Sequence, residues 1–117
     1  MRLDIFNELK VIDTDSHWSE PYDLWTSRAP AKWKDRVPQM GERGGKRRWW
    51  FDKDIPIGLP IASSVVDTEG RKITGTAFFD MDNEMVHRAS FEPEARTEML
   101  DVLGIHAQIM YPNVAGF

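Results

Sequence analysis

Cysteine is absent from this sequence, and so are long apolar runs and an excess of basic residues. Without cysteine, the 117 residues can form neither disulfide bonds nor thiolate metal sites. The longest apolar runs are too short to span a bilayer, and the start of the chain lacks the apolar core of a signal peptide. We therefore expect a cytoplasmic protein with no membrane partner.

Acidic residues outnumber basic ones by 19 to 15, so the net charge is −4. This balance argues against a general nucleic-acid-binding protein, which normally carries a basic excess. One segment, GGKRRWWF at residues 44–51, has basic and aromatic side chains that could neutralise and stack on a nucleic acid. The flanking acids Glu42, Asp52 and Asp54 favour the alternative, a hairpin strand whose aromatic side chains cover a core. We expect no nucleic-acid partner.

The predicted elements follow the order strand, long insertion, helix, strand. The β-branched start of LKVIDTDSH predicts a first strand over about residues 9–16. Pro93 and Gly104 bound the clearest helix, which carries an apolar stripe. IHAQIMYPN predicts a second strand that Pro112 ends. This order predicts a right-handed βαβ unit with adjacent parallel strands.

The insertion between the first strand and the helix covers residues 18–92. Its prolines limit helical structure to short turns near residues 22–27 and 30–36, and a small hairpin is predicted with a loop at residues 67–70. A structureless loop of this length is not expected in a compact domain, so the insertion must fold on itself or on another part of the protein. We predict a single incomplete domain over residues 1–117.

Three polar residues alternate at the end of the predicted first strand. Asp13, Asp15 and His17 are spaced by two, which places their side chains on one face of a strand. Such a set is costly on a normally apolar face unless the groups are paired or bind a metal. Asp15 and His17 could hold a divalent cation, with Asp13 behind them to orient a ligand. The alternative is a solvated turn, because Asp, Ser and His are ordinary turn residues.

Other candidate residues surround this motif. Glu20 follows the strand and could bind substrate or cap the helical turn after it. Trp18 and Trp25 could line a pocket for an aromatic or unsaturated carboxylate, although core packing explains them equally well. His106 is predicted to be structural, and His87 to lie at the surface rather than in the pocket. No single residue is assigned as the catalytic one.

The segments IDTDSH and EPYDLW resemble the N-terminus of the amidohydrolase-related (amidohydrolase 2) family of the amidohydrolase superfamily. FEPEARTEMLDVLGIHAQIMYPN resembles the first barrel helix and second strand of the same family. The likeness covers about residues 10–36 and 91–114. It implies that Asp15 and His17 are metal ligands, and Asp13 matches the aspartate that precedes the pair. Many members have histidine where this chain has Asp15. In this respect the chain is similar to the decarboxylase branches that use an acidic residue at this position.

The resemblance implies an α/β fold, namely the N-terminal portion of a metal-dependent hydrolase TIM (β/α)8 barrel. Such a barrel needs at least about 200 residues, so we expect it to be incomplete here. Zinc fits the implied ligands, and a carboxylate-containing site also admits manganese. The implied activity is hydrolysis of an amide, ester or lactone. The alternatives are non-oxidative decarboxylation of an aromatic or unsaturated carboxylic acid, and a non-catalytic fragment or interaction module.

We expect the chain by itself to be inactive, because the motif supplies two ligands whereas a catalytic zinc site has three protein ligands. The expected partners are a small-molecule substrate and either a second copy, in a homo-oligomer, or a complementary chain that supplies the rest of the barrel. The geometry expected is two adjacent parallel strands at residues 10–15 and 106–110, with a helix at residues 93–103. The insertion should cover the motif like a lid.

Overall fold

The computed structural model describes residues 4–62 and 65–114. The strands and the α-helix of this part are β1 (Val11–Trp18), β2 (Gln39–Arg43), β3 (Lys46–Phe51), β4 (Ile55–Gly58), α1 (Pro93–Leu103) and β5 (Ile105–Pro112). Short 3-10 helices occur at Asp4–Asn7, Ala31–Trp33, Ala77–Asp80, Asn83–Met85 and Arg88–Ser90. In the described ranges, no helix has the length and apolar character needed to cross a membrane.

The strands β1 and β5 form a two-stranded parallel sheet, and α1 precedes β5 in the chain. The helix begins at Pro93, whose ring suits a first turn. It ends at Gly104, which has a φ of 73° and donates its N–H to the carbonyl oxygens of Asp101 and Leu100. The prediction of two adjacent parallel strands with a helix between them in sequence is therefore confirmed.

The strands β2, β3 and β4 form a separate antiparallel sheet. Gly44 and Gly45 join β2 to β3 in a two-residue loop with φ values of 60° and 74°, which L-residues with side chains rarely adopt. On β3, Trp49 is completely buried. Its ring packs edge-on against Trp25 and Tyr22, with centroid distances of 5.1 and 6.3 Å. The sheet thus uses an aromatic side chain of the GGKRRWWF segment as core, as the favoured interpretation predicted.

A second buried cluster also lies in the insertion. Ile61, Val65 and Val86 form its centre, and each is no more than 5% exposed. Partly buried residues that pack against this centre are Ile73, Phe78, Met81 and Phe91. The turn predicted at residues 67–70 is present, since the N–H of Gly70 donates to the carbonyl oxygen of Asp67. The apolar core of the described chain therefore lies largely in the insertion.

The predicted fold class, the N-terminal portion of a (β/α)8 barrel, is wrong. In a closed barrel every strand pairs with a neighbour on each side. Among the described residues β1 and β5 pair only with each other, and the other three strands form an antiparallel sheet of their own. The chain is a small mixed α/β domain. The error came from extending a correct local unit to a whole architecture, whereas the insertion carries enough apolar and turn residues to build its own sheet and core.

Candidate functional site

The strand β1 departs from regular pairing at the motif predicted to bind metal. Its register shifts between Asp13 and Ser16, so two residues of β1 lie opposite the single residue Ile109 of β5. An extra residue of this kind changes which side chains share a face of the sheet. Asp15, Ser16 and His17, which are consecutive, all line one pocket.

This pocket has a volume of about 270 Å³ and lies between β1, β5, α1 and the insertion. Its polar wall includes Asp13 and the motif residues on β1, together with Gln108 of β5 and Arg96 of α1. Its apolar wall comes from the insertion and includes Val65 and Ala89. Residues of the insertion therefore contribute to the wall of this pocket, and a lid over the motif stays a prediction.

Asp15 and His17 approach each other at the mouth of the pocket. Oδ1 of Asp15 lies 3.6 Å from Nε2 of His17. The Asp15 side chain is 86% exposed, whereas that of His17 is 31% exposed. The two side chains thus point to the same side, as the spacing predicted, and both are at least partly exposed to solvent.

Asp13 lies one step deeper and is held by two hydrogen bonds. Its Oδ2 accepts from Nε2 of Gln108 at 2.7 Å, and its Oδ1 accepts from the backbone N–H of Asp15 at 3.1 Å. These bonds, the one from Gln108 most of all, lower the pKa of Asp13 below its ordinary value. Asp13 thus contacts the backbone of the predicted ligand Asp15, and its role as an orienting residue stays a prediction.

Arg96 reaches from α1 into the same pocket. One of its terminal nitrogens donates to the carbonyl oxygen of His17 at 2.7 Å, and the other donates to Oε1 of Gln108 at 3.3 Å. Its guanidinium carbon also lies 5.6 Å from the ring centroid of Trp18, a cation–π distance. Burial lowers the pKa of Arg96, and nearby Asp13 opposes this shift. Trp18 therefore packs under the arginine that borders the pocket.

Glu20 and Trp25, which were predicted to contact substrate, lie outside the residues that line the pocket. Glu20 is only 2% exposed, and its Oε1 accepts the backbone N–H groups of Asn113 and Val114, each at 2.9 Å. It thereby ties the end of β1 to the residues that follow β5. Trp25 packs against Trp49 and is not among the residues that line the pocket.

The two other histidines lie outside this pocket. His87 lines a separate apolar groove beside α1, and its Nδ1 accepts the N–H of Ala89 at 3.2 Å. His106 is an exposed residue near the start of β5. Among the described residues, no group of three or more His, Asp or Glu side chains is placed to hold a metal ion.

Two of the three basic side chains of the GGKRRWWF segment, those of Lys46 and Arg47, face acidic partners. Lys46 donates to Asp80 at 2.7 Å, and Arg47 donates to Asp82 and Glu84, each at 3.2 Å. These acids come from a distant part of the insertion, not from the flanking residues that sequence inspection singled out.

Sequence inspection missed Arg96 and Gln108. A signal for Gln108 was present, because it is a polar residue between the apolar residues Ala107 and Ile109 of a predicted strand. No comparable signal marked Arg96, since an arginine on a helix usually faces solvent. Comparisons of the chain with protein-family models, with curated proteins and with solved structures found no match. The resemblance to the amidohydrolase-related family therefore stays a prediction.

Proposed function

We propose that this chain binds a divalent cation through Asp15 and His17 and serves in metal-dependent hydrolysis of an amide, ester or lactone. The observation that carries the proposal is the 3.6 Å approach of Asp15 Oδ1 to His17 Nε2 at the mouth of a polar pocket. The motif resemblance points to the same two residues. The 117-residue chain by itself is expected to show no turnover.

The spacing of the two donor atoms fits a shared metal ion. Zinc bonds to oxygen and nitrogen are about 2.0–2.1 Å long, so two donors at a tetrahedral angle lie about 3.3 Å apart. The observed separation of 3.6 Å differs from this value by only a few tenths of an ångström, and the exposed Asp15 side chain can adjust by rotation. One carboxylate oxygen and one imidazole nitrogen suit zinc and also admit manganese.

The remaining pocket residues have separate parts in this proposal. A bound divalent ion would supply Lewis-acid activation of water for hydrolysis. Asp13 keeps the Asp15 backbone in place, and the apolar wall at Val65 and Ala89 can contact the substrate's non-reacting part. The described residues of one chain assemble no third ligand beside the pair, and a catalytic zinc site needs three protein ligands, so the third must come from another chain or from a residue outside the described ranges.

A partner chain is part of the same proposal. Three apolar or aromatic residues of β5 are unusually exposed for a parallel strand: Ile109 by 49%, Met110 by 45% and Tyr111 by 43%. Parallel strands are normally covered on both faces. Self-association, or pairing with a complementary chain, would cover them and could supply the missing ligand.

Non-oxidative decarboxylation of a carboxylic acid is the second candidate, and Arg96 is the observation that favours it. The guanidinium lines the pocket beside the proposed ligands, and no carboxylate of the described residues lies within ion-pair distance of it. A substrate carboxylate would therefore find a guanidinium that has no direct ion-pair partner among the described residues, although Asp13 lies nearby. Saturable binding of simple aromatic carboxylates that Arg96→Gln abolishes would favour this reaction over hydrolysis of a neutral substrate.

The test of the proposed function is metal binding by the purified chain. We expect calorimetry with Zn²⁺ and Mn²⁺ to show one site, which Asp15→Ala and His17→Ala each weaken by at least about tenfold, because each removes one of two protein ligands. His106→Ala and Asp101→Ala are matched controls, since both residues are exposed and lie away from the pocket.

Light scattering on the same samples reports whether the chain self-associates. If His17→Ala kept the metal affinity of the unaltered chain, or if the controls lost as much affinity as the two ligand variants, the assignment of Asp15 and His17 would be wrong.

A further inference from the structure

A continuous chain of hydrogen bonds connects α1 to both proposed ligands. Arg96 donates to the carbonyl oxygen of His17 and to Oε1 of Gln108. Gln108 donates from Nε2 to Asp13, and Asp13 accepts the backbone N–H of Asp15. This series of hydrogen bonds therefore ends at the backbone N–H of Asp15 on one side and at the backbone carbonyl group of His17 on the other.

Each hydrogen bond in this series requires a donor group on one residue and an acceptor group on the next. A guanidinium only donates hydrogen bonds, and an ionised carboxylate only accepts them. A residue between Arg96 and Asp13 must therefore accept on one side and donate on the other. The amide of Gln108 does both, with its oxygen toward Arg96 and its nitrogen toward Asp13.

The register shift explains why such support is needed at this point. Thr14 and Asp15 have no Cα partner on β5, so the ladder does not hold them as it holds the rest of β1. The N–H of Asp15 bonds instead to a side chain, that of Asp13. A bulged residue lacks the regular hydrogen bonds between strands and depends on other contacts for its position. Here those contacts are the hydrogen bonds that run from Arg96 through Gln108 and Asp13.

We propose that Arg96 and Gln108 are positioning residues, which set the mutual orientation of Asp15 and His17 through Asp13 and through the His17 carbonyl group. The proposal rests on the proposed function, because its consequence is metal affinity. It adds two residues from distant elements that sequence inspection did not select. Partners of metal ligands typically change metal affinity by about 10- to 100-fold when they are altered.

The experiment exchanges the carboxylate of Asp13 and the amide of Gln108, which lie at the middle of this series of hydrogen bonds. Asp13→Asn alone places an amide nitrogen against the amide nitrogen of Gln108, and Gln108→Glu alone places a carboxylate against that of Asp13. In the double variant the new asparagine oxygen accepts from Asp15, its nitrogen donates to the new carboxylate, and that carboxylate accepts from Arg96. The net charge is unchanged, and every bond has a donor and an acceptor.

Two measurements are made on each variant. Amide hydrogen exchange at Asp15 in the metal-free protein reports the support of the backbone directly. The affinity for Co²⁺ and the visible spectrum of the complex report the arrangement of the two ligands. Gln39→Glu is the matched control, since the Gln39 side chain donates to the carbonyl oxygen of Lys34 and is not among the residues that line the pocket. Circular dichroism confirms that each variant is folded.

We expect each single variant to speed exchange at Asp15 and to bind Co²⁺ about 10- to 100-fold more weakly, and the double variant to recover both within about threefold, as a coupled pair does. If both single variants keep the original exchange rate and affinity, or if their losses add in the double variant, the positioning proposal is wrong. If the unaltered chain binds no Co²⁺ while exchange at Asp15 follows the expected pattern, the proposed function fails and the positioning of the pair stands.

Discussion

The antiparallel sheet and the parallel pair of strands are stabilised in different ways. The strands β2, β3 and β4 are consecutive in the chain, are joined by short turns, and bury Trp49 completely. The strands β1 and β5 are far apart in the chain and form a sheet of only two strands. Ile12 on β1 and Ile109 on β5 are about half exposed, at 57 and 49%.

In the parallel pair, polar side chains replace much of the missing apolar burial. Gln108 bonds to Asp13 across 95 residues, and the hydroxyl of Ser16 donates to the carbonyl oxygen of Ile109 at 2.9 Å. Glu20 adds a third cross-link to the backbone after β5. Burial of apolar side chains therefore stabilises mainly the insertion, whereas directional hydrogen bonds between polar groups hold the candidate site. Directional contacts define geometry better than they resist unfolding, because each contributes only about 0.5–3 kcal/mol net, the upper part of that range applying to bonds with a carboxylate.

Removing the buried indole of the antiparallel region should have the largest effect on stability. We expect Trp49→Ala to lower the free energy of unfolding by about 3–5 kcal/mol, since it leaves a large cavity beside Trp25 and Tyr22. Trp33→Ala is the control, because Trp33 is 46% exposed and should cost far less. Urea denaturation followed by circular dichroism measures both. Equal losses in the two variants would show that Trp49 is not a centre of the core.

An intermediate effect is expected at the carboxylate that ties β1 to the end of β5. Glu20→Ala leaves two backbone N–H groups without an acceptor: that of Val114 is buried and costs about 1–3 kcal/mol, whereas that of Asn113 is only partly buried and costs less. Glu20→Gln keeps an acceptor oxygen and should lose less than half as much. Denaturant unfolding gives the two values, and NMR cross-peaks between β1 and β5 show whether the pair stays together. A larger loss for the glutamine variant would contradict this account.

The smallest effect concerns an exposed ion pair at the antiparallel sheet. A hydrogen bond and charge from Lys46 hold the pKa of Asp80 below its ordinary value of 3.8. The folded chain then releases this proton more readily than the unfolded chain, so the pair stabilises the fold above pH 3.8 and loses its effect as the pH falls through the lower folded value. An NMR titration of the Asp80 carboxyl group measures the shift.

High salt and Lys46→Met should both return the pKa of Asp80 toward 3.8, because exposed charges are screened by salt. A shift that persisted in both conditions would mean that Lys46 does not cause it.

The sequence by itself determined the local features of this protein. The β-branched run into Asp13 predicted β1, Pro93 and Gly104 predicted the ends of α1, and the two-residue spacing predicted that Asp15 and His17 share a side. These features depend on the conformational preferences of neighbouring residues, which follow directly from the amino-acid sequence.

Only the tertiary structure decided which architecture these elements join and which residues surround the pair. The barrel was predicted from a local βαβ unit, but the number of strands in a sheet depends on long-range pairing and on where the apolar side chains of the insertion are buried. The register shift beside Asp15, the burial of Glu20 and the contacts of Arg96 and Gln108 arise from residues that meet across most of the chain. Local preference cannot predict such contacts, because their free energy exists only once the distant segments have come together.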